Sequence, residues 1–295
     1  MPEVSVVIPT YNRASMLREA IRSVLEQTYP NYEVIVVDDG STDNTRDVAS
    51  AFSGKVRYVL QQNRGRSAAR NHGIGLAQGR YIAFLDSDDW WLPNKLERQA
   101  RFHILFPDFL ISQTDEIWIR NNVRVNPRKY HRKGAGWIFD LSVERCMITP
   151  SAVMINKRVF EEIGVFDRGL PACEDYDLWL RVAGKYPVGL VDEKLVVKTG
   201  GHADQLSSKY WGMDRFRVRA LEKLIQAPMG MDNRIAALRT LVKKSAILAE
   251  GSRKRGRFDP ADRYCSRISA YLVELEYLDG IYRQNSGIGR DRIRQ

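Results

Sequence analysis

Three carboxylates lie within four positions, directly after an apolar segment of the chain. Asp86, Asp88 and Asp89 follow residues 81–85, which have the composition of a buried strand. Carboxylates this close repel one another unless a cation or a set of hydrogen-bond donors compensates for their charge. A single aspartate here would indicate only a turn or the start of a helix, where this residue type is common. Three of them favour a site that receives a positive charge.

Other polar segments are predicted at the same edge of a sheet. The first hundred residues alternate β-branched or aromatic runs with segments in which apolar residues recur every three or four positions. This order predicts a parallel sheet with helices on both faces, and such sheets bind ligands at the carboxyl ends of their strands. The segments 9–13 (PTYNR), 38–43 (DDGSTD) and 86–89 (DSDD) all follow strands. We therefore expect Asp39 to share a crevice with the three carboxylates.

The predicted elements extend along the whole chain. Strands are expected at 4–8, 33–37, 56–60 and 81–85, one or two at 109–119, and others at 151–155, 188–191 and 195–198. Helices are expected at 14–27, 43–51, 67–77, before Gly164, from Glu174, and at 211–225, 235–248 and 264–282, with a basic loop at 120–133. Asp89 is predicted to cap the helix that follows it.

Five segments in this order resemble the successive motifs of family 2 glycosyltransferases. They are 6–13 (VVIPTYNR), 36–43 (VVDDGSTD), 68–73 (AARNHG), 84–89 (FLDSDD) and 174–181 (EDYDLWLR). The resemblance covers roughly residues 1–205. It implies an inverting enzyme of the GT-A fold, an α/β fold with a mainly parallel central sheet and helices on both faces. The helical C-terminal region lies outside the resemblance.

The resemblance also implies roles for individual residues. Asp88 would bind a divalent cation, Mn²⁺ or Mg²⁺, while Asp86 would contact the ribose of the donor and, directly or through water, the cation. Asp175 would take the proton of the acceptor hydroxyl, and Glu174 would hold the acceptor or orient this base. The nucleotide-sugar donor would contact Pro9, Thr10, Tyr11, Arg13, Asp39, Arg70, Asp86 and Ser87.

The chemistry of Asp39 favours particular nucleobases. A carboxylate only accepts hydrogen bonds, so Asp39 can pair with the N3–H of uracil or thymine but not with cytosine, which lacks that hydrogen. Guanine has its own N1–H and is not excluded. Tyr11 can stack on the base, and Arg13 and Arg70 can neutralise phosphate or orient Asp39. A UDP-sugar is therefore the expected donor, with dTDP- and GDP-sugars as open alternatives.

His202 is a further candidate ligand of the cation. In relatives of the family that these motifs resemble, a histidine after the catalytic acid completes the metal site. His202 follows Asp175 by 27 positions, and two glycines precede it. An imidazole ligand would favour Mn²⁺, because Mg²⁺ prefers oxygen ligands.

Other classes of protein explain fewer of these features. A non-catalytic carbohydrate-binding module would bind sugar without nucleotide or metal and would leave the acids from Asp39 to Asp175 unexplained. A haloacid-dehalogenase phosphatase carries its Asp-x-Asp near the start of the chain. A Rossmann oxidoreductase requires Gly-x-Gly-x-x-Gly after the first strand, and a sugar nucleotidylyltransferase a glycine-rich basic loop. Here residues 9–13 read PTYNR.

The distribution of charge divides the chain into a region with nearly equal numbers of acidic and basic residues and a region that is basic. The chain has 295 residues and a net charge of +10. Residues 206–295 hold 19 Lys and Arg against 10 Asp and Glu, so this region alone carries +9. We predict a GT-A domain at 1–205, with a donor half at 1–107 and an acceptor half at 108–205, and a basic helical region at 206–295.

The composition also bears on location and partners. Three widely spaced cysteines argue against a disulfide framework or a zinc site and fit a reducing cytoplasm. No leader and no apolar stretch near the ~20 residues of a membrane span is recognised. For the basic region, peripheral contact with the inner face of a membrane and a solvated face beside a homo-oligomer contact stay open, and nucleic acid is disfavoured. The expected acceptor is a glycan or a lipid-linked glycan of cell-surface polysaccharide, lipopolysaccharide or glycolipid assembly.

Overall fold

The computed structural model describes residues 1–126, 131–201, 210 and 212–291, with side chains described up to residue 281. The chain divides into two compact units, Met1–Lys209 and Tyr210–Gln295. The first unit contains the sheet and seven α-helices among its described residues. The second contains three helices among its described residues.

The strands and helices are numbered in chain order. The strands are β1 Val4–Thr10, β2 Tyr32–Asp38, β3 Arg57–Leu60, β4 Tyr81–Phe84, β5 Trp90–Trp91, β6 Ile111–Arg120, β7 Val123–Val125, β8 Val153–Asn156 and β9 Val188–Gly200. The helices of the first unit are α1 Ala14–Leu25, α2 Thr45–Ser50, α3 Arg66–Leu76, α4 Lys95–Leu105, α5 Phe139–Glu144, α6 Arg158–Ile163 and α7 Glu174–Ala183. Those of the second are α8 Asp214–Leu224, α9 Met231–Arg253 and α10 Phe258–Asp291.

One nine-stranded sheet organises the first unit. Its order is β3-β2-β1-β4-β8-β6-β9-β5, with β7 paired to β6. The four strands β3, β2, β1 and β4 are mutually parallel, whereas β8 runs antiparallel to both of its neighbours. The carboxyl ends of β1, β2 and β4 therefore meet at one edge, as the alternating pattern of the first hundred residues predicts.

The parallel half is held by apolar packing on both faces. Every residue of β1 is buried, and α1 places Leu17, Ala20, Ile21 and Val24 in the same core. On α3, Gly73 allows a close approach to the sheet, because a β-carbon at this position would lie 2.3 Å from Val7 Cγ1. This close contact brings α3, and with it Arg70, against the carboxyl edge.

Three sequence-based assignments differ from the structure. The two strands expected at 188–191 and 195–198 are one strand, β9, which bulges opposite Thr114 and Asp115 of β6. The polar pair Asp192 and Glu193 interrupts the apolar alternation without ending the extended backbone. Strand β7 lies inside the predicted basic loop at 120–133. A helix was expected directly after Asp89, but α4 begins at Lys95.

Asp89 does not cap the next helix, so that prediction was wrong. It precedes the short strand β5, and the residue before α4 is Asn94. The local sequence after Asp89, two tryptophans and a proline, suits an extended segment better than the start of a helix.

The second unit is an array of helices. Helix α9 buries Ala237, Leu238 and Leu241, while Phe216 and Leu221 of α8 are also buried. Residues 254–257 connect α9 to α10. None of the helices within the described part of the chain is both long enough and apolar enough to span a membrane.

Candidate active site

The loops after β1 and β2 are tied to each other by hydrogen bonds. Asn12, in the left-handed region at φ 51°, accepts a hydrogen bond from the Thr42 N–H (2.7 Å). The Asn12 N–H donates to Ser41 Oγ (2.8 Å). Tyr11, the residue before Asn12, is 47% exposed, while Thr10 is buried. An exposed ring on a fixed loop can stack on a flat ligand.

Asp39 is held rigidly at this edge. Its Oδ1 accepts hydrogen bonds from Gln61 Nε2 (2.7 Å) and the Arg64 N–H (2.9 Å), and its Oδ2 accepts one from the Gly65 N–H (2.8 Å). A carboxylate offers about four acceptor positions, so about one is left for a ligand. Arginine side chains were one predicted means of orienting Asp39, but the hydrogen bonds that hold it come from Gln61 and the backbone.

Its neighbour Asp38 has a structural role. Asp38 accepts hydrogen bonds from the Ser41 N–H (2.8 Å) and from Tyr58 Oη (2.6 Å), and it is 1% exposed. These bonds shape the turn at the end of β2. At Gly40, φ is +82°, and a β-carbon there would lie 2.9 Å from the backbone nitrogen of Asn63.

Arg70 joins two acidic segments that are distant in the sequence. Its Nη2 lies 2.6 Å from Asp86 Oδ1 and its Nη1 lies 2.8 Å from Glu174 Oε1. The guanidinium also lies over the ring of Phe166, 5.1 Å from the centroid. Burial alone would raise the pKa of Asp86, but the charge and hydrogen bond of Arg70 lower it overall. Burial and the charge of Asp175 raise the pKa of Glu174.

The three carboxylates that follow β4 form a cluster. One oxygen each of Asp86, Asp88 and Asp89 can be chosen so that all lie within 4.8 Å of one another. Asp88 Oδ2 also lies 2.6 Å from Arg13 Nη1. Asp88 and Asp89 line a cavity of about 470 Å³, so open space adjoins the cluster.

Both carboxylate oxygens of Asp89 accept hydrogen bonds from the protein. Its Oδ2 accepts a hydrogen bond from Ser151 Oγ (2.6 Å), and its Oδ1 accepts one from the Thr199 N–H (3.0 Å). Ser151 Oγ in turn accepts from the Asp86 N–H (3.1 Å). Burial, together with the charges of Asp88 and Asp86, raises the pKa of Asp89 well above its usual range. Asp89 thus connects the cluster to β9 and to the segment before β8.

The two acids of α7 differ in their surroundings. Glu174 is 2% exposed and paired with Arg70, whereas Asp175 is only partly buried. Asp175 Oδ1 accepts a hydrogen bond from the Tyr176 N–H (2.8 Å), and its Oδ2 lies 3.6 Å from Cys146 Sγ. Cys173, the residue before Glu174, has φ 61°. Non-glycine residues adopt this conformation rarely, and such residues cluster at functional sites.

A group of charges on β6 and β9 lies near these acids. Lys198 is partly buried, and the charges of Glu116, Asp89, Asp86 and Asp175 outweigh its burial and raise its pKa. Glu116 Oε1 lies 2.8 Å from Lys133 Nζ. Burial raises the pKa of Glu116, but the charges of Lys133 and Lys198 lower it to about 2.

The sequence analysis did not identify several of these side chains as site residues. Gln61, Ser151 and Lys198 carry no signal as isolated residues, although Gln61 follows β3 at the same edge. Of the predicted site residues, Pro9, Thr10 and Ser87 are buried at the ends of β1 and β4. His202 lies outside the residues that the structure describes.

The motifs, the sheet order and the acids at its carboxyl edge together match the GT-A fold that the sequence predicts. The family model for glycosyl transferase family 2 matches residues 5–164, more than half of the chain. The chain belongs to this family.

Curated relatives agree with this assignment. An uncharacterized glycosyltransferase of Rickettsia prowazekii is 34% identical over 285 residues, which cover 94% of this chain and 82% of the relative. The UDP-Glc:alpha-D-GlcNAc-diphosphoundecaprenol beta-1,3-glucosyltransferase WfaP of Escherichia coli is 31% identical over 63% of this chain and 72% of its own length. Other relatives are longer: one of Rickettsia felis is matched over 70% of this chain but only 36% of its own length.

Solved structures show the same fold. Residues 1–349 of Staphylococcus aureus TarS in complex with UDP-GlcNAc superpose with a TM-score of 0.67, at 17% identity over 93% of this chain and 92% of that one. The mannosyltransferase PcManGT of Pyrobaculum calidifontis, in complex with GDP-Man and Mn²⁺, gives a TM-score of 0.60 at 18% identity over 94% and 86%. These likenesses establish the GT-A fold for this chain.

Proposed function

We propose that this chain transfers a sugar, with inversion, from a UDP-sugar to a hydroxyl of a glycan acceptor. The observation that carries the proposal is the position of Arg70 between Asp86 and Glu174. Through these two contacts, the acids that would face the donor diphosphate lie next to the acids that would activate the acceptor. A transfer reaction needs both groups at the same bond.

The donor is assigned from the loops after β1 and β2, at the carboxyl edge of the sheet. Asp39 keeps about one acceptor position for the N3–H of uracil, and the exposed ring of Tyr11 offers a stacking surface. The buried Thr10 hydroxyl has no hydrogen-bond partner among the described residues. An unpaired buried hydroxyl is costly unless a ligand satisfies it. Thr10 therefore supports ligand binding at this edge, although it does not distinguish uracil from guanine.

The acidic cluster fits a divalent cation, Mn²⁺ or Mg²⁺. Asp86 and Asp88 supply hard oxygen ligands, and Asp88 lines open space. Both oxygens of Asp89 accept hydrogen bonds, from Ser151 Oγ and the Thr199 N–H. Asp88 and Asp86 would therefore hold the cation, and Asp89 would fix their loop. The cation would supply charge neutralisation for the departing diphosphate. His202 is proposed as a further ligand on its sequence position alone.

Asp175 is proposed as the general base. It is the more accessible acid of the pair, and the donor that the described residues place at its Oδ2 is the weak thiol of Cys146. It can therefore take the proton from the acceptor hydroxyl as that oxygen attacks the anomeric carbon. Glu174 is committed to Arg70 and is assigned to orienting the base rather than to contact with the acceptor.

The acceptor is proposed to be a lipid-linked glycan used in cell-surface polysaccharide assembly at the cytoplasmic side of the membrane. The name of the Escherichia coli relative, a glucosyltransferase acting on GlcNAc-diphosphoundecaprenol, supports this class.

A donor-hydrolysis screen tests the proposal. UDP-, dTDP- and GDP-sugars are each incubated with the full chain and Mn²⁺ or Mg²⁺, and released nucleoside diphosphate is measured. We expect metal-dependent release from a UDP-sugar. Faster release from GDP-sugars would overturn the nucleotide assignment, and release from none of the donors, with no binding of any nucleotide by calorimetry, would overturn the proposed activity.

A further inference from the structure

The connection between α9 and α10 concentrates positive charge. Arg253, Lys254, Arg255 and Arg257 lie within five positions, and no acidic residue occurs from 251 to 258. All four side chains are exposed. We call residues 253–257 the basic turn. It lies where two long helices meet, at one end of the α9–α10 pair.

The ion pairs at the basic turn leave its charge accessible. Lys254 Nζ lies 2.6 Å from Glu250 Oε1, but these side chains are 73% and 67% exposed. Arg253 Nη2 lies 3.7 Å from Asp262 Oδ1, with side chains 55% and 72% exposed. Such solvent-exposed pairs are weak and easily exchanged for other anions. Between residues 250 and 263 five basic residues face three acidic ones, so the net charge is +2.

An exposed aromatic side chain follows the turn directly. Phe258 is the first residue of α10 and is 64% exposed. A large apolar ring in water is unfavourable, and aromatic side chains favour the boundary between water and lipid. Its place beside four exposed cations gives the surface both an electrostatic and an apolar component.

We propose that the basic turn and Phe258 form a docking surface for a membrane rich in anionic phospholipid. Clusters of four or more Lys and Arg attract anionic headgroups, and an adjacent apolar side chain adds burial at the headgroup level. Long, exposed side chains adapt to a fluid array of phosphates, which requires no fixed geometry. Nucleic acid fits less well, because single-strand binding uses several aromatic rings for successive bases and the turn offers one.

Vesicle co-sedimentation of the full chain tests this surface. The vesicles consist of phosphatidylcholine alone or of phosphatidylcholine mixed with phosphatidylglycerol. We expect binding to the mixed vesicles only, weakened by added salt. The variant with R253Q, K254Q, R255Q and R257Q should lose at least about ten-fold in vesicle partitioning, since each basic residue near the surface contributes. Phe258→Ser should lose about three-fold, because it removes buried apolar area and no charge.

A matched variant separates this surface from net charge alone. Arg219, Lys223, Arg239 and Lys243 are also exposed residues of the second unit, so their replacement by glutamine removes the same charge elsewhere. We expect this control to keep most of its vesicle binding. Circular dichroism of each preparation verifies folding, so the outcome does not depend on the proposed activity.

Three results would overturn the proposal. The two quadruple variants could lose binding equally, the wild-type chain could bind both kinds of vesicle alike, or neither kind could sediment it. Tight binding of single-stranded RNA that the basic-turn variant loses, without vesicle binding, would assign the surface to nucleic acid instead.

Discussion

Arg70 Nη1 lies 2.8 Å from Glu174 Oε1, although the two residues are 104 positions apart in the sequence. The same guanidinium reaches Asp86 with its other terminal nitrogen, at 2.6 Å. Arg70 and Glu174 side chains are only 3% and 2% exposed, so this bridge is a buried ion pair between α3, the loop after β4 and α7.

Replacing Arg70 should destabilise the first unit. Arg70→Gln leaves Glu174 and Asp86 without their shared cation, and removing one partner of a buried pair costs about 3–5 kcal/mol. Arg66→Gln is the control, because Arg66 is 42% exposed and lies 3.6 Å from Glu174. Chemical denaturation measures the free energy of unfolding of both variants. Equal, small losses would mean that Arg70 is not the structural link described above.

Asp175→Asn should abolish transfer while leaving nucleotide binding intact. The amide cannot accept the proton of the acceptor hydroxyl, and loss of general-base catalysis reduces kcat by roughly 10²–10⁴. Asp177→Asn is a matched change in the same helical turn, at a residue paired with Arg181 at 2.8 Å, and should keep kcat within a few-fold. Transfer assays and UDP calorimetry distinguish the two. Near-normal turnover in the Asp175 variant would refute its assignment as the base.

Asp39→Asn should weaken UDP binding and reduce the preference for UDP over CDP. An unpaired polar group in the complex costs about 1–3 kcal/mol, which corresponds to roughly a 5- to 150-fold loss of affinity. Asp38→Asn, at the neighbouring buried carboxylate that Ser41 and Tyr58 engage, should keep the UDP to CDP ratio. Calorimetry with both nucleotides gives the ratios. An unchanged ratio in the Asp39 variant would contradict base recognition by this residue.

Asp88→Asn should remove the dependence of UDP affinity on Mn²⁺. The neutral amide is a weaker ligand for a hard cation than a carboxylate. Arg13, which lies 2.6 Å from Asp88, is unchanged in this variant. The measurement is UDP affinity with and without Mn²⁺ in the wild-type chain and the variant. The metal assignment fails if Mn²⁺ enhances UDP affinity equally in both.

Glu116 should make the chain sensitive to acid. The charges of Lys133 and Lys198 outweigh burial and hold its pKa at about 2, below the usual 4.5. Because the folded pKa is lower, the unfolded chain takes up the proton first, so stability from this group is complete above about pH 4.5 and is lost as the pH falls toward about 2. Tm measured against pH should fall less steeply over that range for Glu116→Gln. Equal slopes of Tm against pH for the wild-type chain and the variant would show that Glu116 does not contribute to the loss of stability in acid.

Much of the parallel half could be predicted because its signals are local. Residues of β1 and β2 form continuous apolar runs, and the predicted strands at 4–8 and 33–37 lie inside the observed Val4–Thr10 and Tyr32–Asp38. Strands buried on both faces read as such runs whatever surrounds them. The second half was less predictable, since β9 continues through the polar pair at 192–193 and a bulge absorbs it.

The sequence by itself determined the fold class, the family resemblance and the residue types of the candidate site. Motif order and apolar periodicity are properties of neighbouring residues, so they can be read without coordinates. The tertiary structure decided which partner each charge has. It placed Arg70 between Asp86 and Glu174, paired Asp39 with the side chain of Gln61 rather than with an arginine side chain, and linked Asp89 to Ser151 instead of a helix end. These pairings depend on long-range packing of α3, α7 and β9 against the sheet edge, and no local pattern encodes the distance between residues that far apart.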